Sequence, residues 1–242
     1  MLLNVFIAAS ITAIFTGFGA IPFFFIDDIN EHWLGRGNAL AAGLMLGASI
    51  GLIIEGGQIH IPRMILGVGI GFALIIGARL WLDDHNDLGV ETFTQADFTK
   101  MLLIIAIMTV HSFAEGVGVG VAYGDSSNFG NVITTAIAIH NIPEGLAISL
   151  ILVPRGISVW RAAGWSVFSS LPQPIMAVLA YLFVLLFEPF LPIGLGLAAG
   201  AMIWMVFREL IPESRQHLSW PALITIMTLA TIAMLTFQLT IG

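Results

Sequence analysis

Hydrophobic residues in this chain come in long unbroken runs and do not alternate with polar ones. Eight such runs cover approximately residues 2–26, 39–57, 62–82, 101–123, 132–153, 162–187, 192–208 and 220–241. Charged or turn-forming stretches separate them, at 27–38, 58–63, 83–100, 124–131, 154–161, 188–192 and 208–219. An α-helix needs roughly 20 apolar residues to cross the hydrocarbon of a bilayer. Strands of a membrane barrel would alternate over segments of about ten residues, and none of these runs does. The pattern predicts an all-α, polytopic membrane protein, one domain over residues 1–242 with eight transmembrane helices.

Composition agrees, with 58% hydrophobic and only 10% charged residues, where a soluble domain carries about 25% charged. The first run has no basic stretch before it and no Ala-x-Ala site before Asp27-Asp28, so it is expected to stay as a first span. The chain has no cysteine, which excludes disulfides, thiolate ligands and thiol catalysis. The net charge of −7 comes with no basic patch, so nucleic acid is not an expected partner.

The placement of the cations predicts orientation. Arg36, Arg79, Lys100, Arg155, Arg161, Arg208 and Arg215 all fall in or beside odd-numbered connections, and Arg63 alone in an even one. Basic residues concentrate on the cytoplasmic side, so a cell-membrane protein with both termini extracytoplasmic is expected. The third connection, Asp83-Asp84-His85-Asn86-Asp87-Leu88, reads either as a solvated acidic loop or as a collector of departing cations. His32, His60 and His217 lie near span ends, where a hydrated imidazole is ordinary, and receive no role.

Two near-copies of one motif interrupt the apolar runs. The first is His111-Ser112-Phe113-Ala114-Glu115-Gly116, in the fourth run; the second is His140-Asn141-Ile142-Pro143-Glu144-Gly145, in the fifth. His-x-x-x-Glu sets an imidazole and a carboxylate one turn apart on one helix face. The two helices are antiparallel about a midpoint near Asn128. Counting outward at about 1.5 Å per residue puts His111 level with Glu144, and Glu115 level with His140 and Asn141. Two layers about one turn apart result, near mid-membrane, with His140 able to join either by a small rotation.

Each ionised group costs about 2.5 to 3.5 kcal/mol at the bilayer centre. A polar contact that only glues helices returns about 0.6 kcal/mol on average. Glue does not account for the same costly pattern twice, facing itself, so the motifs are read as an ion path. Pro143 withdraws the amide that would bond the Ile139 carbonyl, leaving that carbonyl as a further ligand and the helix as a hinge. Gly116, Gly118, Gly120 and Gly145 permit close helix approach. Imidazole with carboxylate suits zinc, iron(II), manganese or cadmium, whereas calcium and magnesium prefer oxygen alone. Met45, in the second run, offers a thioether, and core packing accounts for it equally well.

At these residues the chain resembles the ZIP family of divalent metal transporters, in its short bacterial branch. The family's His-Asn-x-Pro-Glu-Gly is matched fully by residues 140–145, and its second motif partly by His111, Glu115 and Gly116. The resemblance implies one metal position from His111, His140 and Glu144, with Met45 near it. It implies a second position from Glu115, Asn141 and a shared Glu144. Ser112 stands where the family usually has Asn, Ala114 where it has Pro, and Gln173-Pro174 where it has Glu-Pro. These departures fall on the second position and remove a negative charge, so one firmly held metal is expected. Arg208, Glu209 and Glu213 resemble the family's exit region, though salt bridging accounts for them as well.

The function expected is import of a divalent metal, zinc foremost, toward the cytoplasm, with no cofactor and the metal as cargo. The expected partners are that ion and the bilayer, with a homodimer left open. An intramembrane metal hydrolase would need His-Glu-x-x-His, which is absent, and the neighbours His111 and Ser112 point about 100° apart on a helix. A metal sensor would bind the ion without accumulating it.

Overall fold

The computed structural model describes residues 1–26, 30–84 and 95–241, and every regular element among them is helical. α1 (Leu2–Gly17) continues into a 3-10 stretch, Phe18–Phe24, that contains Pro22. α2 (Glu31–Asp84) is broken at His60, whose φ of −164° and ψ of 97° are extended. The second arm begins as a capped helix does: His60 Nδ1 accepts the Arg63 amide at 3.3 Å, and Pro62 sits in the first turn, where no amide is needed. In one straight helix Gly56 and Met64 would be about 12 Å apart along the axis. A Cβ built on Gly56 instead meets the Met64 side chain at 3.0 Å, so the chain folds back at the break.

α3 (Gln95–Asp125) and α4 (Ser127–Leu152) are joined by Ser126 alone, far shorter than the connection expected over 124–131. Ser126 is extended, and its hydroxyl accepts the Phe129 amide at 3.2 Å, starting α4 at once. After a 3-10 turn at Val153–Arg155, Gly156 takes a φ of +86°, the left-handed region that favours glycine. The run expected over 162–187 is in fact α5 (Val159–Ser169) and α6 (Pro172–Leu182), parted at Ser170 and Leu171 where prolines begin the next turn.

α7 (Val184–Phe187) and a 3-10 turn, Glu188–Phe190, lead into α8 (Leu191–Met205). The connection expected over 208–219 is helical as far as His217. A π-turn at Val206–Leu210, in which the Ile211 amide reaches back to the Val206 carbonyl, carries α8 into α9 (Ile211–His217). The wider turn comes just before Pro212, which cannot supply the next backbone donor. α10 (Trp220–Ile241) closes the chain. His85 to Leu88 of the acidic loop, and Asp27-Asp28, lie outside the described residues.

Six stretches among the described residues are long and apolar enough to cross a bilayer: Leu2–Phe24, Glu31–Gly77, Ile104–Gly124, Ser127–Arg155, Val184–His217 and Trp220–Thr240. Their outer surface is apolar, with Ile65, Leu185 and Leu239 exposed at 60%, 84% and 83%. The chain is thus a polytopic helical membrane protein. α10 runs along the first arm of α2 at Gly43 and Gly47, and α8 along the second at Gly67 and Gly71. α1 and α4 meet backbone to backbone, where a Cβ on Gly145 would fall onto the Thr16 carbonyl. These contacts fix α3 and α4 between the other helices, with the two motifs inside.

Candidate metal centre

His111 and Glu115 project from one turn of α3, and His140 and Glu144 from one turn of α4. All four are buried, Glu144 and His111 completely. His111 Nε2 lies 2.7 Å from Glu144 Oε1 and 3.3 Å from Glu115 Oε1, while His140 Nε2 lies 3.5 Å from the same Glu144 oxygen. The two imidazoles stack with centroids 5.5 Å apart. One ligand atom from each of the four residues falls within 4.8 Å of the others. The two layers expected from counting therefore merge into one cluster, because His140 joins His111 and Glu144 while Glu115 reaches His111.

The closeness of these atoms is not hydrogen bonding. Both His111 ring nitrogens, His140 Nε2, Glu115 Oε1 and both Glu144 oxygens have no partner in hydrogen-bond geometry among the described residues. Buried polar atoms left so cost about 1 to 3 kcal/mol each, more when charged. Zinc bonds nitrogen and carboxylate oxygen at about 2.0 to 2.2 Å, which sets tetrahedral ligand atoms roughly 3.3 to 3.6 Å apart. The observed 3.3 and 3.5 Å fall within that spacing, and the 2.7 Å between His111 and Glu144 is shorter than it. A divalent cation would satisfy the orphaned lone pairs and offset the two carboxylate charges together.

Of the remaining residues expected at the site, Gln173 and Asn141 are tied to Glu115 by hydrogen bonds. Gln173, at the start of α6, donates its amide to Glu115 Oε2 at 2.5 Å. Its Oε1 accepts from the Thr12 hydroxyl at 2.5 Å and from Asn141 Nδ2 at 3.2 Å. Asn141 Nδ2 also donates to the Thr12 carbonyl at 2.8 Å, and Asn141 Oδ1 has no partner among the described residues. Asn141 thus faces α1 and α6 through its amide nitrogen. Ser112 is fully buried, its hydroxyl without a partner among the described residues. Met45 is packed in the apolar core with Met108 and Ile148, one turn from His111 and Glu144 respectively. α4 runs as a helix through Pro143 without a break.

Sequence reasoning missed three contributors. Thr12 ties α1 to Gln173 and Asn141, and its signal was a pair of hydroxyls, Thr12 and Thr16, one turn apart in an apolar helix. Thr16 shares a hydrogen bond of 2.7 Å with Ser170, at the break between α5 and α6. Glu55 lines the cavity of about 70 Å³ into which His111, Glu115 and His140 also face. Its signal was a carboxylate inside an apolar run.

The sequence model of ZIP zinc transporters matches residues 83–236, well over half of the chain and all of the cluster. The chain belongs to the ZIP family. Zinc transporter GufA of Myxococcus xanthus is 31% identical over 225 residues, 87% of this chain and 88% of that protein. Zinc transporter ZIPB of Bordetella bronchiseptica is 31% identical over 190 residues, 73% of this chain and 62% of its own length. An Arabidopsis thaliana protein described as a candidate zinc transporter is 42% identical over 222 residues, 90% of this chain. The chain spans only 36% of that plant relative's length.

Proposed function

We propose that this ZIP protein carries divalent transition-metal ions, zinc foremost, across the cell membrane toward the cytoplasm. The observation that carries the reading is the convergence of His111, Glu115, His140 and Glu144 on one point, with their ligand atoms outside hydrogen-bond geometry. Two imidazoles and two carboxylates suit zinc, and iron(II), manganese or cadmium after it. The relatives named as zinc transporters support the same cargo. All four candidate ligands come from one chain.

Eight crossings are supported by the fold-back at His60, which makes two spans of α2, and by α5 with α6, which together supply a span interrupted at Ser170 and Leu171. The cluster then lies near mid-membrane, and the cation distribution favours both termini outside. One metal is held firmly. Where a second would need Glu115 and Asn141, Gln173 already occupies Glu115 Oε2 and the Asn141 amide. A site of moderate strength lets the ion leave as well as arrive.

Zinc accumulation in vesicles reconstituted with the purified protein tests the reading. The double variant His140→Ala, Glu144→Ala is expected to abolish it; flux equal to wild type would overturn the transport role of this cluster. Zinc bound stoichiometrically by the wild-type protein with no accumulation would assign it as a sensor instead.

A further inference from the structure

Beyond the cluster, the cavity that holds it continues toward one end of the molecule. The inner cavity of about 70 Å³ shares Glu55, Gly118 and Ile133 with an outer one of about 340 Å³. The outer cavity is bounded by Gln58 and Ile59 at the break in α2, and by Glu188 before α8. Its walls are single helix faces. On α3 the face runs from His111 through Glu115 and Gly118 to Ala122; on α4 it runs from His140 through Ile137 and Ile133 to Phe129. From His111 to Ala122 the distance is about 16 Å along the helix, much of the outer half of a membrane.

Two features mark the junction of the cavities. A Cβ built on Gly118 meets nothing within 4 Å among the described residues, so this glycine is not there for close packing. A side chain at that position would project into the space the two cavities share. Glu55 is the one charged residue lining both cavities among the described residues, and it is exposed. A carboxylate at a helix end that only reached solvent would line the outer cavity alone. Glu55 also faces the inner one, together with the buried His140, whose Nε2 has no hydrogen-bond partner among the described residues. Gly118 sits about one turn outward of Glu115, roughly 4.5 Å along α3, so a cation at the junction is one short step from the cluster.

We infer that Glu55 is an outer binding station for the transported divalent cation, receiving it from the mouth near Glu188 and passing it across the Gly118 junction to His140 and Glu115. Glu55 precedes residues 83–236, which match the family's sequence model. The inference rests on the transport reading above. A single carboxylate where the two cavities join raises the local cation concentration without holding the ion as tightly as four ligands do. Gly118 keeps the step between the two positions open.

The test uses the whole chain reconstituted in vesicles, with initial rates of zinc uptake and zinc stoichiometry in detergent. Glu55→Gln is expected to raise KM about tenfold, within the range seen for electrostatic steering, with bound zinc unchanged because the cluster is intact. Glu55→Asp recovers most of that loss. Gly118→Leu is expected to cut the uptake rate at least tenfold, again with bound zinc unchanged. A Glu55→Gln KM within twofold of wild type would overturn the inference while leaving the transport reading in place. Loss of bound zinc in Glu55→Gln would also overturn it, by making Glu55 part of the cluster or of its folding. Undiminished uptake in the His140→Ala, Glu144→Ala variant is the separate failure that removes the transport reading and this inference with it.

Discussion

Gln173→Glu probes the wall behind the cluster most directly. In the structure the Gln173 amide donates to Glu115 Oε2 at 2.5 Å, while the other end of Gln173 accepts from Thr12 and Asn141. Those two donors survive the substitution, so the new side chain is held in the same place. What changes is the atom facing Glu115: a donor becomes a second carboxylate oxygen. Even if the oxygens part to about 4 Å, two like charges repel by about 4 kcal/mol at an effective dielectric of 20. Sharing a proton relieves part of this, which leaves about 2 kcal/mol against the metal-free fold. For a chain of this size each kcal/mol lowers the midpoint by about 2 to 4 °C, so thermal unfolding in chelator is expected to begin about 4 to 8 °C lower. The added charge restores a second cation position between residue 173, Glu115 and Asn141. Equilibrium dialysis with metal analysis is therefore expected to rise from one zinc per chain to two. One zinc per chain in both proteins, with unfolding in chelator unchanged, would refute the assignment of Gln173 as the group that closes the second position.

Two further outcomes follow from the same geometry. Gly145→Ala places a methyl group against the Thr16 carbonyl; overpacking of this kind costs about 1 to 3 kcal/mol or more, and it parts α1 from α4 behind Asn141. A sharp loss of folded protein by size-exclusion profile is expected, whereas Gly164→Ala, where a Cβ meets nothing within 4 Å among the described residues, keeps the wild-type profile. Removing metal with a chelator is expected to lower the unfolding midpoint, and zinc at a hundred times its Kd to restore about 2.7 kcal/mol. The His140→Ala, Glu144→Ala protein should show no such response.

Much of the fold was legible because a bilayer imposes a length on every span. The apolar runs locate α8 and α10 to within three residues at each end and α3 and α4 to within six, while the run 2–26 covers α1 together with the 3-10 stretch after it. The errors fall where a helix changes course without changing its hydropathy. The stretch 162–187 is apolar throughout, yet it breaks at Ser170 and Leu171 because two prolines cannot donate to the preceding turn. The opposite error occurs at 208–219, where charged residues suggested a connection but backbone bonding continues through a π-turn to His217. Hydropathy reports which solvent a residue meets; backbone hydrogen bonding is a separate matter that charge alone does not reveal.

The site shows the same division on a smaller scale. Counting along two antiparallel helices paired His111 with Glu144, and their side chains do meet at 2.7 Å. Such counting fixes the height of each Cα to a residue or two, about 1.5 to 3 Å. Histidine and glutamate side chains reach farther than that, so it cannot keep two layers a single turn apart distinct, and the four ligands draw together. Residues on α3 and α4 were within reach of this reasoning because both carry the motif. Thr12 and Glu55 were not, because nothing in their local sequence says which neighbour they face, and Gln173 entered only through the family resemblance. Thr12 meets Gln173 across 161 positions of chain, and Gln173 meets Glu115 across 58. Those contacts exist because Gly145 lets α1 close on α4 and because the proline break sets Gln173 in the buried first turn of α6. The ligands are a property of two motifs; the charge they can neutralise, and hence how many ions they hold, is decided by helices that carry no motif at all.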